Sequence, residues 1–216
     1  MRCQARTVGR VPLVEAMAVF AAIMLDIWWI RYHWPHFWIP LLAFGVYTHI
    51  ARGATLRSLG WTRAGFIPGL RAAWPYVLAV AGALILAGAL AGTLRPIPPR
   101  NALIDIFLYC WWGLFQQYIL NAYFLDRIRQ ARDFEEPHRA ALLAAIPFSL
   151  VHTPNYTLMI AALIGGYAAA RVYLRYRNLF LLGLAHGLFG FLLFWTLPDS
   201  LTHHLYIGAR YLAVLP

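Results

Sequence analysis

Long apolar runs, broken at intervals by arginine, proline and aromatic clusters, set the pattern of this chain. A run from about Val11 to Ile30 predicts a first helix, closed by a Tyr-His-Trp-Pro-His turn of the aromatic kind that sits at a membrane interface. A second helix is expected over about Phe37 to Ile50. The arginine-bearing stretch from Ala51 to Phe66 then reads as a helix lying along the membrane surface. The third helix spans about Leu70 to Leu94 and ends at Arg95-Pro-Ile-Pro-Pro-Arg100. The fourth covers about Ala102 to Leu125, before a charged loop from Asp126 to Arg139. The fifth runs from Ala140 to His152 and stops at Thr153-Pro154. The sixth covers about Tyr156 to Leu174, and the seventh Leu179 to Leu197.

Crossing roughly 30 Å of hydrocarbon takes a helix of about 20 residues, and several of these runs are that long. Lipid admits only helices or closed barrels, and uninterrupted Leu/Ala/Ile runs lack the alternation of barrel strands. Composition points the same way: 62% of residues are hydrophobic and 12% charged, more apolar surface than a soluble domain of this size can bury. The expected fold is therefore all-α, a polytopic membrane helical bundle of about seven transmembrane helices plus a surface helix. No repeat, linker or second domain interrupts it, so residues 1–216 read as a single integral membrane domain.

The net charge of +10 fixes the expected orientation rather than a nucleic-acid surface. All 18 basic residues are arginine, and they fall between apolar segments. With the N-terminus in the cytoplasm, the inner loops hold Arg2, Arg6, Arg10, Arg52, Arg57, Arg63, Arg71, Arg127, Arg129, Arg132, Arg139, Arg171, Arg175 and Arg177. Only Arg31, Arg95, Arg100 and Arg210 fall outside. The inner arginines would touch anionic lipid headgroups, which makes membrane lipids the first expected partner. The basic start resembles a signal peptide, but Glu15 and Asp26 interrupt the apolar run and no small-residue cleavage site precedes Trp28, so the first helix is expected to be retained. Arginine without lysine suggests a GC-rich bacterial genome, and hence the inner membrane. Cys3 and Cys110, one in the tail and one in an apolar helix, predict neither a disulfide nor a cysteine-ligated metal.

Polar residues inside membrane helices are costly and usually face the bundle interior. Gln116, Gln117 and Asn121 lie on the fourth helix, His152 ends the fifth, and His186 is on the seventh. Counted from the inner helix ends at about 1.5 Å per residue, Gln116 is roughly 15 Å deep, His152 roughly 18 Å and His186 roughly 12 Å. Three helices thus bring polar groups to one depth. Gln117 and Asn121 are four apart and share a face, as do Phe148 and His152, and His186 and Gly190. Gly183 and Gly187 form a small-xxx-small pair that reads as helix packing. Taken singly, the glutamines could simply bond a neighbouring helix, His152 could cap a helix end, and His186 could be a neutral core residue.

In order and spacing these segments resemble the motifs of the CAAX prenyl protease and bacteriocin-processing (CPBP/Abi) intramembrane protease family. The family's Glu-Glu-x-x-x-Arg corresponds to Gln116-Gln117-Tyr-Ile-Leu-Asn121, its Phe-x-x-x-His to Phe148-Ser-Leu-Val-His152, and its His-x-x-x-Asn/Asp to His186-Gly-Leu-Phe-Gly190. Leu59-Gly60-Trp61, and Gly166 through Tyr173 to Asn178, extend the likeness over about residues 45–195. The resemblance implies peptide hydrolysis inside the membrane, with a glutamate activating water and histidine and asparagine assisting. This chain has Gln116 where that glutamate is expected, and an amide oxygen is no useful base near neutral pH. Gln117, Asn121 and Gly190 depart as well, while both histidines remain.

The expectation is a divergent member that binds a peptide or membrane helix at Gln116, Gln117, Asn121, His152 and His186 without cutting it, a pseudoenzyme acting as scaffold, immunity factor or regulator. The alternative is an active intramembrane peptidase in which His152 is the base, His186 assists, and amides stabilise the oxyanion. No cofactor or metal is expected, since two histidines fall short of the three protein ligands usual for catalytic zinc.

Overall fold

A computed structural model describes residues 11–131 and 136–214. The basic tail with Arg2, Cys3, Arg6 and Arg10, and Arg132 in the charged loop, lie outside them. The fold is all-helical, 80% helix, without a strand among the described residues.

Helices form where the apolar runs predict them. Helix α1 covers Val11–His33, including a π-helical turn at Asp26–Ile30. Helix α2 is Trp38–Ala51, and α3 is Phe66–Ala91, four residues earlier than its hydropathy edge. Helix α4 is one rod over residues 99–131: Pro99–Gln117, a π-helical stretch Tyr118–Leu125, and Asp126–Ala131. The first six residues of the expected charged loop are therefore helical. Helices α5 (Pro137–Leu150), α6 (Tyr156–Tyr176) and α7 (Leu179–Thr196) follow, then short turns α8 (Asp199–Thr202) and α9 (Ala209–Leu212).

Four helices are long and apolar enough to cross a membrane, namely α1, α3, α6 and α7. Large apolar side chains cover the outside of the bundle, among them Leu90, Tyr76, Trp111 and Leu103. In water such a surface would drive association; in a bilayer it meets lipid. The chain is an integral membrane protein.

The expected surface helix does not form. Residues 52–65 are turns, with Gly53, Gly60 and Gly65 at positive φ, a conformation that interrupts helical hydrogen bonding. The loop is instead stitched to the α6–α7 junction. Leu179 donates its backbone N–H to the Gly60 carbonyl at 3.0 Å, and Tyr173 donates its hydroxyl to the Leu59 carbonyl at 3.1 Å. Asn178 caps α7 by accepting from Leu181 N–H at 2.9 Å, while its own amide donates to the Ala64 carbonyl at 3.0 Å. Gly65 is required here: a Cβ on it would run into the Tyr176 carbonyl.

The core lies around the C-terminal half of α4. Leu120, Ala122 and Leu125 pack against Ala140, Ala141, Ala144 and Phe148 of α5, Ala170 and Tyr173 of α6, and Leu179 and Leu182 of α7. The alanine stripe lets α5 approach closely without a hydrophobic drive from lipid. Glu136 caps α5, accepting from the His138 and Arg139 N–H groups, and these bonds hold its carboxyl below the usual range.

At the opposite end Arg95 pairs with Asp199 at 2.7 Å, and its carbonyl accepts the Trp195 indole N–H at 2.9 Å, tying the α3–α4 link to the end of α7. The Arg95 guanidinium holds the Asp199 carboxyl below its ordinary value. Its stabilisation is therefore complete above the unfolded-state value of about 4 and is lost as pH falls through the lower folded value. An Asp199→Asn variant should melt with a flatter acid-side dependence than the parent. Identical slopes for both proteins between neutral and strongly acid pH would refute this.

Candidate active site

Helix α4 packs along α7 in the most extensive helix pair of the bundle, and glycines make that contact close. A Cβ on Gly113 would lie 2.9 Å from the Gly183 carbonyl oxygen and 2.9 Å from Gly187 N. One on Gly183 would lie 2.8 Å from Leu114 Cα. Backbone thus rides on backbone, one turn from Gln117 on α4 and beside His186 on α7. The Gly183/Gly187 pair, which the sequence offers only as packing, sets the distance between the polar side chains.

At that crossing Gln117 Nε2 lies 3.0 Å from His186 Nδ1. Asn121, one turn further along, donates from Nδ2 to Gln117 Oε1 at 2.7 Å. Gln117 and Asn121 are buried, with 2% and 0% exposure, which an amide pair tolerates only when bonded. The helix changes from α to π between them, and such π turns recur at functional sites because they re-aim side chains.

His152 approaches from the turn after α5, two residues beyond the helix end at Leu150. Its Nδ1 lies 2.8 Å from the Phe148 carbonyl oxygen. The Phe148 ring contacts both histidines edge-on, 5.3 Å from the His152 ring and 6.0 Å from the His186 ring. The structure therefore joins Asn121, Gln117 and His186 by hydrogen bonds, and His152 shares with His186 a contact to the Phe148 ring. Gln116 is half-buried on the adjacent face, without a hydrogen-bond partner among the described residues. A side chain at Gly190, the last motif position, would meet the Tyr109 ring at 3.0 Å, so an aromatic residue occupies the space an asparagine would need.

Chemically the arrangement offers two imidazoles and two amides. Residues 98–192 match a family model described as Type II CAAX prenyl endopeptidase Rce1-like. That segment is similar to the CAAX protease family. The match contains all five residues, so the CAAX-protease-like segment and the polar crossing coincide. No curated protein and no solved structure matches the chain.

A second buried polar cluster, at the arginine-rich end, escapes motif reading. Arg127, whose side chain is 1% exposed, meets Glu15 of α1 at 2.9 Å and donates to Thr48 Oγ at 3.0 Å. Glu15 also pairs with Arg52 at 2.6 Å. His49, 3% exposed, lies edge-on to Tyr118 and Tyr123 at 5.7 and 5.5 Å. The one signal was an acidic residue stranded in the first apolar run. A groove of about 510 Å³ between α5 and α6, lined by His138, Leu142, Leu163 and Tyr167, touches neither cluster.

Proposed function

We propose that this CAAX-protease-like chain binds a peptide or transmembrane helix at the His152–His186 site and does not hydrolyse it. The hydrogen-bonded chain Asn121–Gln117–His186 carries the reading: amides stand where the resemblance calls for glutamate and arginine, and they bond in series to the His186 ring. Along α4 the flanking carboxylates are Asp105 and Asp126, each roughly 15 Å away by helical rise, and Asp126 is bonded to Arg177. Loss of the carboxylates and the arginine together is physically coherent, because an unpaired arginine at that depth would be expensive.

Seven crossings with the N-terminus in the cytoplasm complete the reading, supported by the arginine-rich loops on one side. Arginine-only basic usage supports a bacterial inner membrane, and the lipid-exposed outer surface supports lipids as constant partners. A second reading, hydrolysis with His152 as base and His186 assisting, is favoured by the two rings sharing Phe148.

One experiment separates them. The purified protein in lipid nanodiscs is given peptides carrying a photo-crosslinker, and the same peptides as quenched fluorogenic substrates. Crosslinking that weakens in His186→Ala, with no turnover in the parent or in Gln116→Glu, is the expected result. Turnover abolished by His152→Ala would establish the second reading, and an active Gln116→Glu protein would end the idea of a jointly rebuilt site. Absence of crosslinking would remove the binding proposal.

A further inference from the structure

The two histidines of the site are held in opposite tautomers. Asn121 Nδ2 donates to Gln117 Oε1, so the atom Gln117 turns to His186 Nδ1 is its amide nitrogen, which can only donate. His186 Nδ1 is then an acceptor, and the neutral ring carries its proton on Nε2. His152 is the converse. Its Nδ1 faces the Phe148 carbonyl, which can only accept, so the proton sits on Nδ1 and Nε2 keeps a lone pair.

The direction of the chain is set by the orientation of the Asn121 amide, whose Nδ2 faces Gln117 Oε1. Asn121 Oδ1 is buried without a hydrogen-bond partner among the described residues, while Nδ2 is the atom in use. A carboxylate at position 117 would behave differently. It accepts only, so it would take Asn121 Nδ2–H with one oxygen and require a proton on His186 Nδ1, leaving the Nε2 lone pair bare. Amide and carboxylate at this position therefore set opposite faces of His186.

We propose that Gln117 and Asn121 are positioning residues that fix His186 as the Nε2–H tautomer beside an Nδ1–H His152. The site then offers one hydrogen-bond acceptor, His152 Nε2, and one donor, His186 Nε2–H. That pair complements a ligand presenting both an N–H and a carbonyl, as a peptide unit does, whereas two bare ring nitrogens would suit a cation. The proton assignment stands whether or not any peptide is bound or cut, and its test uses no peptide.

Protein labelled with nitrogen-15 histidine, in nanodiscs at alkaline pH where an introduced carboxyl is ionised, gives the readout. The ring signals are assigned with His152→Gln and His186→Gln variants. His186 should show a pyridine-type Nδ1 and a pyrrole-type Nε2, and His152 the reverse. Asn121→Asp, which does not touch His186, should invert the His186 pattern by turning the Gln117 amide over. Gln117→Glu should invert it directly. The His152 pattern, unchanged, reports that each variant has kept its fold. A parent protein with the proton on His186 Nδ1 overturns the proposal without any variant. A His186 pattern left unmoved in correctly folded Asn121→Asp and Gln117→Glu would reduce both residues to packing.

Discussion

Gly187→Ala should be the most damaging single methyl group that can be added to the helix crossing, with a loss of about 3 kcal/mol or more. The added Cβ would fall on the Cα and backbone N of Cys110 and lie 2.7 Å from its Sγ. Backbone cannot rotate aside as a side chain can, so α7 would have to move off α4. Membrane helices gain their association from such close packing, and a separated pair has little else to hold it. The same displacement carries His186 away from Gln117, breaking the 3.0 Å contact on which the site depends. Two neighbours calibrate the effect. At Gly190 the nearest atom belongs to the Tyr109 ring, which can swing, so Gly190→Ala should cost under about 1 kcal/mol. Gly165 on α6 has nothing within 4 Å, so alanine there should be neutral or stabilise by about 0.5–1 kcal/mol through helix propensity. Thermal unfolding in a mild detergent should rank the variants Gly187→Ala, Gly190→Ala, parent and Gly165→Ala in rising order. A Gly187→Ala protein that melts with the parent would mean the crossing is not as close as the backbone contacts require.

Hydropathy located the long helices because apolar length is itself the physical requirement for crossing lipid. It misplaced their ends for identifiable reasons. Phe66 to Gly69 begins α3 early because Gly65 turns the chain there, and Asp126 continues α4 because the Arg177 pairing lets a carboxylate stay at a helix position that its charge alone disfavours. Arginines spaced among apolar residues give residues 52–65 the look of an amphipathic surface helix. Three glycines at positive φ decide otherwise. At the site, the 117/121 spacing announced a shared face, since residues four apart on a helix are neighbours. Which of two consecutive glutamines turns toward α7 was not legible, because that depends on the rotation of α4 and on the π stretch following Gln117. Both come from tertiary packing. Nor did composition reveal the partner of Glu15, since an ion pair between α1 and α4 leaves no periodic trace.

Breaking that ion pair should unlatch α1. Glu15 and Arg127 meet at 2.9 Å with side chains 18% and 1% exposed, and removing one member of such a pair typically costs about 3–5 kcal/mol. The two losses should be unequal. Without Arg127, Glu15 still has Arg52 at 2.6 Å and a partial view of solvent, so Arg127→Met should sit at or below the lower end of that range. Without Glu15, Arg127 keeps, among the described residues, Thr48 and the Tyr123 ring, 4.8 Å from its guanidinium, while its charge stays buried. Glu15→Leu should therefore be the worse single change. The double variant Glu15→Leu/Arg127→Met should recover much of the loss, because an apolar pair escapes the desolvation cost that a lone buried charge cannot. Unfolding of all four proteins under identical detergent conditions gives the coupling directly. Additive losses in the double variant would show that the two charges act independently. The result also bears on how the molecule is assembled, because α1 lies outside the family-matching segment at residues 98–192. Ala16 and Val19 of α1 pack on Tyr123 and Phe124 of α4, immediately beyond Asn121 on the same rod. A latch at Arg127 thus holds an element outside the family-matching segment against the helix that carries the site, and loosening it should disturb the Gln117–Asn121 amide chain before it disturbs α7.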